Sequence, residues 1–179
     1  MNMPFAMLVL GGCRSGKSRF AEEWAAGRFC RKTFLATMAP SDDQEMAHRI
    51  ALHRGKRGSD WRTVEEPLDL LGALRKASGV TDLVLIDCLT LWLTNLLLHD
   101  LSDREIEDLV RELGQLLSQL PVPVVLVANE VGLGLVPESP LGRRFRDLAG
   151  WTNQQLAVAV SHVVLVTAGI PLALKGSLA

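Results

Sequence analysis

A chain of 179 residues with 48% apolar and 22% charged side chains has the make-up of one folded domain, which excludes disordered and collagen-like classes. Its formal net charge is −1, from 19 Lys+Arg against 20 Asp+Glu. No global basic field exists to hold duplex nucleic acid or an anionic membrane, so any bound phosphate must be gripped locally. Three cysteines, Cys13, Cys30 and Cys88, come without a C-x-x-C pair or a histidine cluster. They read as reduced cytoplasmic thiols rather than as a disulfide frame or a zinc site.

The first predicted element is a strand over Phe5–Leu10. The stretch from Met1 lacks a basic start and a cleavage site, so it reads as a strand and not as a signal peptide. Gly11-Gly12-Cys13-Arg14-Ser15-Gly16-Lys17-Ser18 follows at once and fits G-x-x-x-x-G-K-S/T, the P-loop pattern, between that strand and a helical run over Arg19–Ala26. Its glycines let the backbone curl so that successive N–H groups face phosphate oxygens, and the helix N-terminus adds its positive end. Lys17 is placed to reach the β- and γ-phosphates, and the Ser18 hydroxyl to ligate Mg²⁺.

A second strand is predicted over Thr33–Thr37, then a helix from about Asp42, with Ser41 and Gln44 as a capping box. That helix carries His48 and His53. On spacing alone each reads as a solvated helix histidine, although a neutral imidazole beside a nucleotide is a competent nucleophile toward phosphorus. Arg54–Asp60 reads as an exposed basic loop. The next strand, Leu83–Asp87, ends an apolar run in a carboxylate, the Walker B pattern that holds a metal beside a P-loop. The stretch Leu83–Leu98 contains Asp87, Thr90, Thr94 and Asn95 and is too short and too polar to span a bilayer. The leucines of Leu89–Leu101 suit either a buried helix or an interface.

A helix over Asp103–Leu120 shows a 3.6-residue apolar stripe, a Ser102/Glu105 capping box and a stop at Pro121. A strand over Val122–Ala128 leads into Asn129-Glu130-Val131-Gly132-Leu133-Gly134. This segment is either part of a site at the sheet edge or a loop that needs glycine freedom. A helix over Leu141–Val160, interrupted or tightened near Gly150, and a strand over Val163–Thr167 complete the pattern. His99 and His162 read as structural. Strands that are continuously apolar and alternate with helices predict an α/β fold. It is a three-layer, P-loop NTPase-like arrangement with a mostly parallel sheet flanked by helices, in one domain over 1–179. The Asn-Lys-x-Asp guanine-reading pattern of regulatory GTPases is absent, which argues against a GTP-dependent switch. A plain small-molecule kinase remains an alternative on these residues.

The order of segments is itself distinctive. The P-loop over 11–19, Glu45–His53, Trp61-Arg62-Thr63-Val64-Glu65, Asn129–Glu138 and Phe145–Gln154 together resemble the bifunctional adenosylcobinamide kinase / adenosylcobinamide-phosphate guanylyltransferase family of cobalamin biosynthesis. The likeness runs over essentially the whole chain. It implies phosphorylation of adenosylcobinamide with ATP or GTP. Transfer of GMP from GTP to the resulting phosphate then follows through a guanylylated histidine, which matches His53, with His48 as the alternative. It also implies nucleotide contacts at 11–18, at Thr37, Met38 and Ala39, at Lys56, Arg57, Gly58 and Ser59, and at the acidic Glu65 and Asp87. The implied cofactor is Mg²⁺ on Ser18 and Asp87, the implied partners are a corrinoid and GTP or ATP, and the implied assembly is a homotrimer. Two departures stand out: Cys13 where the family commonly has Ala, and Arg57-Gly58 where it usually has Arg-Pro.

Overall fold

The computed structural model describes residues 5–38 and 58–178. The helix expected after Pro40, with His48 and His53, lies outside the described residues, as do Ala39, Lys56 and Arg57. Among the described residues the order is β1 (Ala6–Gly11), α1 (Lys17–Ala25), β2 (Lys32–Ala36), β3 (Trp61–Glu65), α2 (Leu70–Ser78), β4 (Leu83–Asp87), α3 (Leu89–Leu98) and α4 (Asp103–Leu117). The chain continues through β5 (Val124–Asn129), α5 (Pro140–Ala159), β6 (His162–Thr167) and β7 (Ile170–Lys175). The strands form one sheet in the order β3-β2-β4-β5-β1-β6-β7. Every pairing is parallel except β6 with β7.

The continuous apolar strands are explained by two cores. One side of β1 (Ala6, Leu8, Leu10) packs with leucines from α2 to α5. The other side (Met7, Val9) packs with Ala21 and Ala25 of α1. A strand covered on both faces has no polar side to show, which is why alternation is missing from its sequence. The result is the three-layer P-loop NTPase-like arrangement expected above.

Helix α4 begins with the expected capping box: the Ser102 hydroxyl accepts from Glu105 N–H, and the Glu105 carboxylate accepts from Ser102 N–H. Those contacts also hold the Glu105 carboxyl below its ordinary range. Helix α3 resolves the leucine-rich stretch in favour of burial. Leu89, Trp92, Leu93, Leu96 and Leu97 are core residues, and Trp92 Nε1–H donates to Leu68 O at 3.0 Å. Helix α5 runs unbroken through Gly150. A single glycine costs a helix about 1 kcal/mol without removing a backbone donor, so the expected interruption does not form.

Registers align the carboxyl ends of five strands on one edge. Gly11 pairs with Asn129, Ala36 with both Asp87 and Glu65, and Asp87 with Val127. Ligands of open α/β sheets collect at that edge.

Candidate functional site

The loop between β1 and α1 is built from the backbone outward. Arg14 at φ 55 and Gly16 at φ 97 turn the chain through the left-handed region, which is how consecutive amides come to face a common centre. The turn is closed by Ser15 N–H donating to Gly12 O at 3.2 Å. Helix α1 starts on Gly16 with no side-chain cap, so its first N–H groups stay available to an anion. Lys17 folds back over the loop, and its ammonium donates to Gly12 O at 3.2 Å from a largely buried position.

This loop forms one wall of a cleft of about 590 Å³. Residues 13–19 face Asp87 and Cys88 from the end of β4, Asn129 from the end of β5, and the Ala168–Gly169 turn between β6 and β7. Lys17, Ser18 and Asp87, named from the sequence as ammonium, hydroxyl and carboxylate, therefore share one cavity. Burial first, and then the Asp87 carboxylate, push the Cys88 thiol up to about 11. The cleft consequently contains a protonated, inert thiol beside its acidic residue.

The residues after β2 are placed at the same edge, with Thr37 committed to the protein. Its hydroxyl donates to Cys88 O at 2.6 Å and accepts from Cys88 N–H at 2.9 Å, while Asn95 Nδ2 donates to its carbonyl at 2.7 Å. Thr37 thus fastens the segment after β2 to the segment after β4. Met38 follows it half-buried, and Glu65 ends β3 exposed to solvent.

Gly58 and Ser59 are not brought to the P-loop. They precede β3, on the amino edge of the sheet, about 16 Å of strand away from the edge where Glu65 sits. Ser59 instead lines a separate pocket with Arg31, Lys32, Asp60 and Trp61. There the buried Lys32 ammonium pairs with Asp60 and lies 5.4 Å from the Trp61 ring centre. The Lys32 pairing lowers the Asp60 carboxyl pKa. A parallel strand separates the residues before it from those after it by its own length.

Three structural contributors went unread in the sequence. Gly169 N–H donates to Ser15 O at 2.8 Å, so the turn after β6, the strand beside β1, supports the P-loop. Thr90 Oγ1 accepts from Asn129 N–H at 2.7 Å, and Asn153 Nδ2 donates to Asn129 O at 3.3 Å. The two-residue turn takes positive φ at both Ala168 (51) and Gly169 (79), a conformation that Asn-Gly or Asp-Gly signals and Ala-Gly does not, and Pro171 further demotes the second run. The histidines read as structural have local partners: His99 Nδ1 bonds to Asn95 O and His162 Nδ1 to Ser161 Oγ.

The chain is similar to the bifunctional adenosylcobalamin biosynthesis protein CobP of Pseudomonas aeruginosa, with 49% identity over 170 residues covering 94% of this chain and 96% of the relative. It is also similar to the bifunctional adenosylcobalamin biosynthesis protein CobU of Escherichia coli, with 41% identity over 181 residues covering 94% and 99%. Among solved structures, the P4 protein of bacteriophage phi6 in complex with ADP superposes with a TM-score of 0.53 at 14% identity. That match takes in 93% of this chain but 52% of the phage protein, so it speaks for the fold alone. The sequence pattern of cobinamide kinase / cobinamide phosphate guanyltransferase matches residues 7–174, from β1 to the last strand, and the chain belongs to that family.

Proposed function

We propose that this protein phosphorylates adenosylcobinamide with ATP or GTP. It then transfers GMP from GTP to the adenosylcobinamide phosphate, giving adenosyl-GDP-cobinamide. The observation that carries the reading is the cleft itself, where the Lys17 ammonium and the rest of the P-loop over residues 13–18 share one cavity with Asp87. In the first reaction the hydroxyl oxygen of the acceptor's aminopropanol arm attacks the γ-phosphorus, and the nucleoside diphosphate leaves. Little covalent work falls to the protein here. Its task is to place the two reactants and to stabilise charge on the phosphoryl oxygens, which Lys17 and the loop amides do.

The second reaction is a double displacement. An imidazole nitrogen of His53 attacks the α-phosphorus of GTP and pyrophosphate leaves. A phosphate oxygen of the acceptor then attacks the same phosphorus, the P–N bond breaks, and the neutral imidazole returns. Splitting the transfer in this way exchanges one difficult step for two easier ones. We assign nucleotide contacts to residues 11–18, Met38, Glu65 and Asp87.

Ser18 and Asp87 fit Mg²⁺. They are hard oxygen donors on two walls of one cavity, and this cation keeps most of its waters, so it needs no dedicated protein cage. Among the described residues there is no cluster of three or more His, Cys, Asp and Glu that would hold a metal on its own. When bound, the ion neutralises charge on the β- and γ-oxygens.

No helix among the described residues is long and apolar enough to cross a membrane. Free Cys13, Cys30 and Cys88 support a cytoplasmic location. A homotrimer is the assembly inferred, with support from the edge strand β7, where Ile170, Leu172 and Leu174 are exposed. The test is incubation with GTP, Mg²⁺ and adenosylcobinamide, followed by mass analysis. Adenosyl-GDP-cobinamide is the expected product, and phosphorylated acceptor alone would reduce the protein to a kinase.

A further inference from the structure

The loop between β5 and α5 combines two properties that do not usually meet. Its base is fixed at both ends. On one side Glu130 N–H donates to Gly11 O at 3.0 Å, which ties it to the first glycine of the P-loop. On the other, the Arg143 guanidinium donates to Pro137 O at 3.1 Å and Glu138 O at 2.6 Å. Its crest, however, presents large apolar side chains to water. Leu133 is 87% exposed, Leu135 95% and Val136 64%. Single exposed leucines are ordinary, but a run of them on a loop rooted at a ligand cleft marks a contact surface.

Resting on the function proposed above, we propose that the crest Leu133–Val136 is the landing surface for the corrin macrocycle of the acceptor. The argument is one of size and reach. The reacting hydroxyl sits at the end of the aminopropanol arm and must enter the cleft to meet the phosphoryl group. A cavity of about 590 Å³ is of the size that holds one drug-sized ligand, and the nucleotide takes that place. The macrocycle therefore stays outside, an arm's length from the phosphate. Leu133 is four residues beyond Asn129, which lines the cleft, and so at most about 14 Å from it along the chain. The broad, methyl-bearing face of a corrin ring then covers apolar side chains that the protein otherwise leaves in water.

Both acceptors, the free alcohol and its phosphate, carry the same macrocycle, and this gives the test its discrimination. The double variant Leu133→Ser with Leu135→Ser changes exposed positions and leaves the fold intact. Its affinity for adenosylcobinamide, measured by equilibrium dialysis at the visible absorbance of the corrinoid, is expected to fall by roughly tenfold or more, the loss of about one buried leucine. KM for the acceptor rises by a similar factor in both reactions. GTP affinity, the enzyme–GMP adduct formed without corrinoid, and the subunit count by light scattering stay unchanged. The Leu→Met pair at the same positions restores binding. Unchanged corrinoid affinity in the Ser variant overturns the proposal. So does a loss of subunit assembly, which would make the crest a contact between copies. A wild-type protein that turns over no corrinoid at all would instead remove the functional reading beneath it.

Discussion

Two adjacent glycines of the P-loop differ sharply in the room around them, and this gives a demanding prediction. A Cβ built on Gly11 lies 2.4 Å from Ser15 Oγ and 2.5 Å from Val166 O, whereas one built on Gly12 meets nothing within 4 Å. The Ser15 hydroxyl can rotate only at the expense of its packing. The Val166 oxygen belongs to β6, which is hydrogen-bonded to β1, so it can retreat only if the sheet spreads. Gly11→Ala is therefore expected to lower stability by the 1–3 kcal/mol typical of overpacking. For a domain of this size that means a fall in Tm of roughly 3–10 °C. Gly12→Ala is expected to stay within about 0.5 kcal/mol of the parent. Scanning calorimetry of the nucleotide-free proteins decides it. Equal Tm values for the two variants, or a greater loss at Gly12, would refute the placement of the P-loop against β6.

Removing the ammonium in Lys17→Ala forfeits one hydrogen bond to Gly12 O and should change nucleotide-free stability by no more than about 1 kcal/mol. Phosphoryl transfer is expected to drop about 100-fold or more in kcat/KM, and steady-state kinetics beside a melting curve separates the two effects. Cys88 gives a pH dependence. Its folded thiol keeps its proton to about 11 against an ordinary value of 9.0. Between those values the folded state holds more protons than the unfolded one, so stability is intact below about pH 9 and falls as pH rises toward 11. The difference between parent and Cys88→Ala in urea melts should shrink across that window by about 3 kcal/mol; a constant difference would contradict the burial argument.

The parts of this fold legible in the sequence are those whose signal is local or whose environment is uniform. The five central strands could be read because each is buried on both faces. The P-loop could be read because curl, lysine and hydroxyl lie within eight consecutive residues. The edges of the sheet were harder. Trp61–Glu65 reads as a motif and not as a strand, because its half-covered residues give no clean run. Ile170–Lys175 carries Pro171, which fits an edge position that lacks a partner for its missing N–H. Helix α2 is short, although Asp69 caps it by accepting from Gly72 N–H. The Ala168–Gly169 turn reaches the P-loop only through tertiary pairing of β1 with β6, a relation no local window contains. Conversely, Gly58 and Ser59 were near the site only in sequence order, since β3 carries the chain across the sheet between them and Glu65.

The most direct test of the account traps the covalent intermediate. The protein is incubated with Mg²⁺ and GTP labelled at the α-phosphate, denatured, and mapped by peptide mass analysis. The account predicts an acid-labile label on the peptide holding His53, absent from His53→Ala and chased into adenosyl-GDP-cobinamide by adenosylcobinamide phosphate. An absence of protein-bound label, or label that persists in His53→Ala, would contradict it.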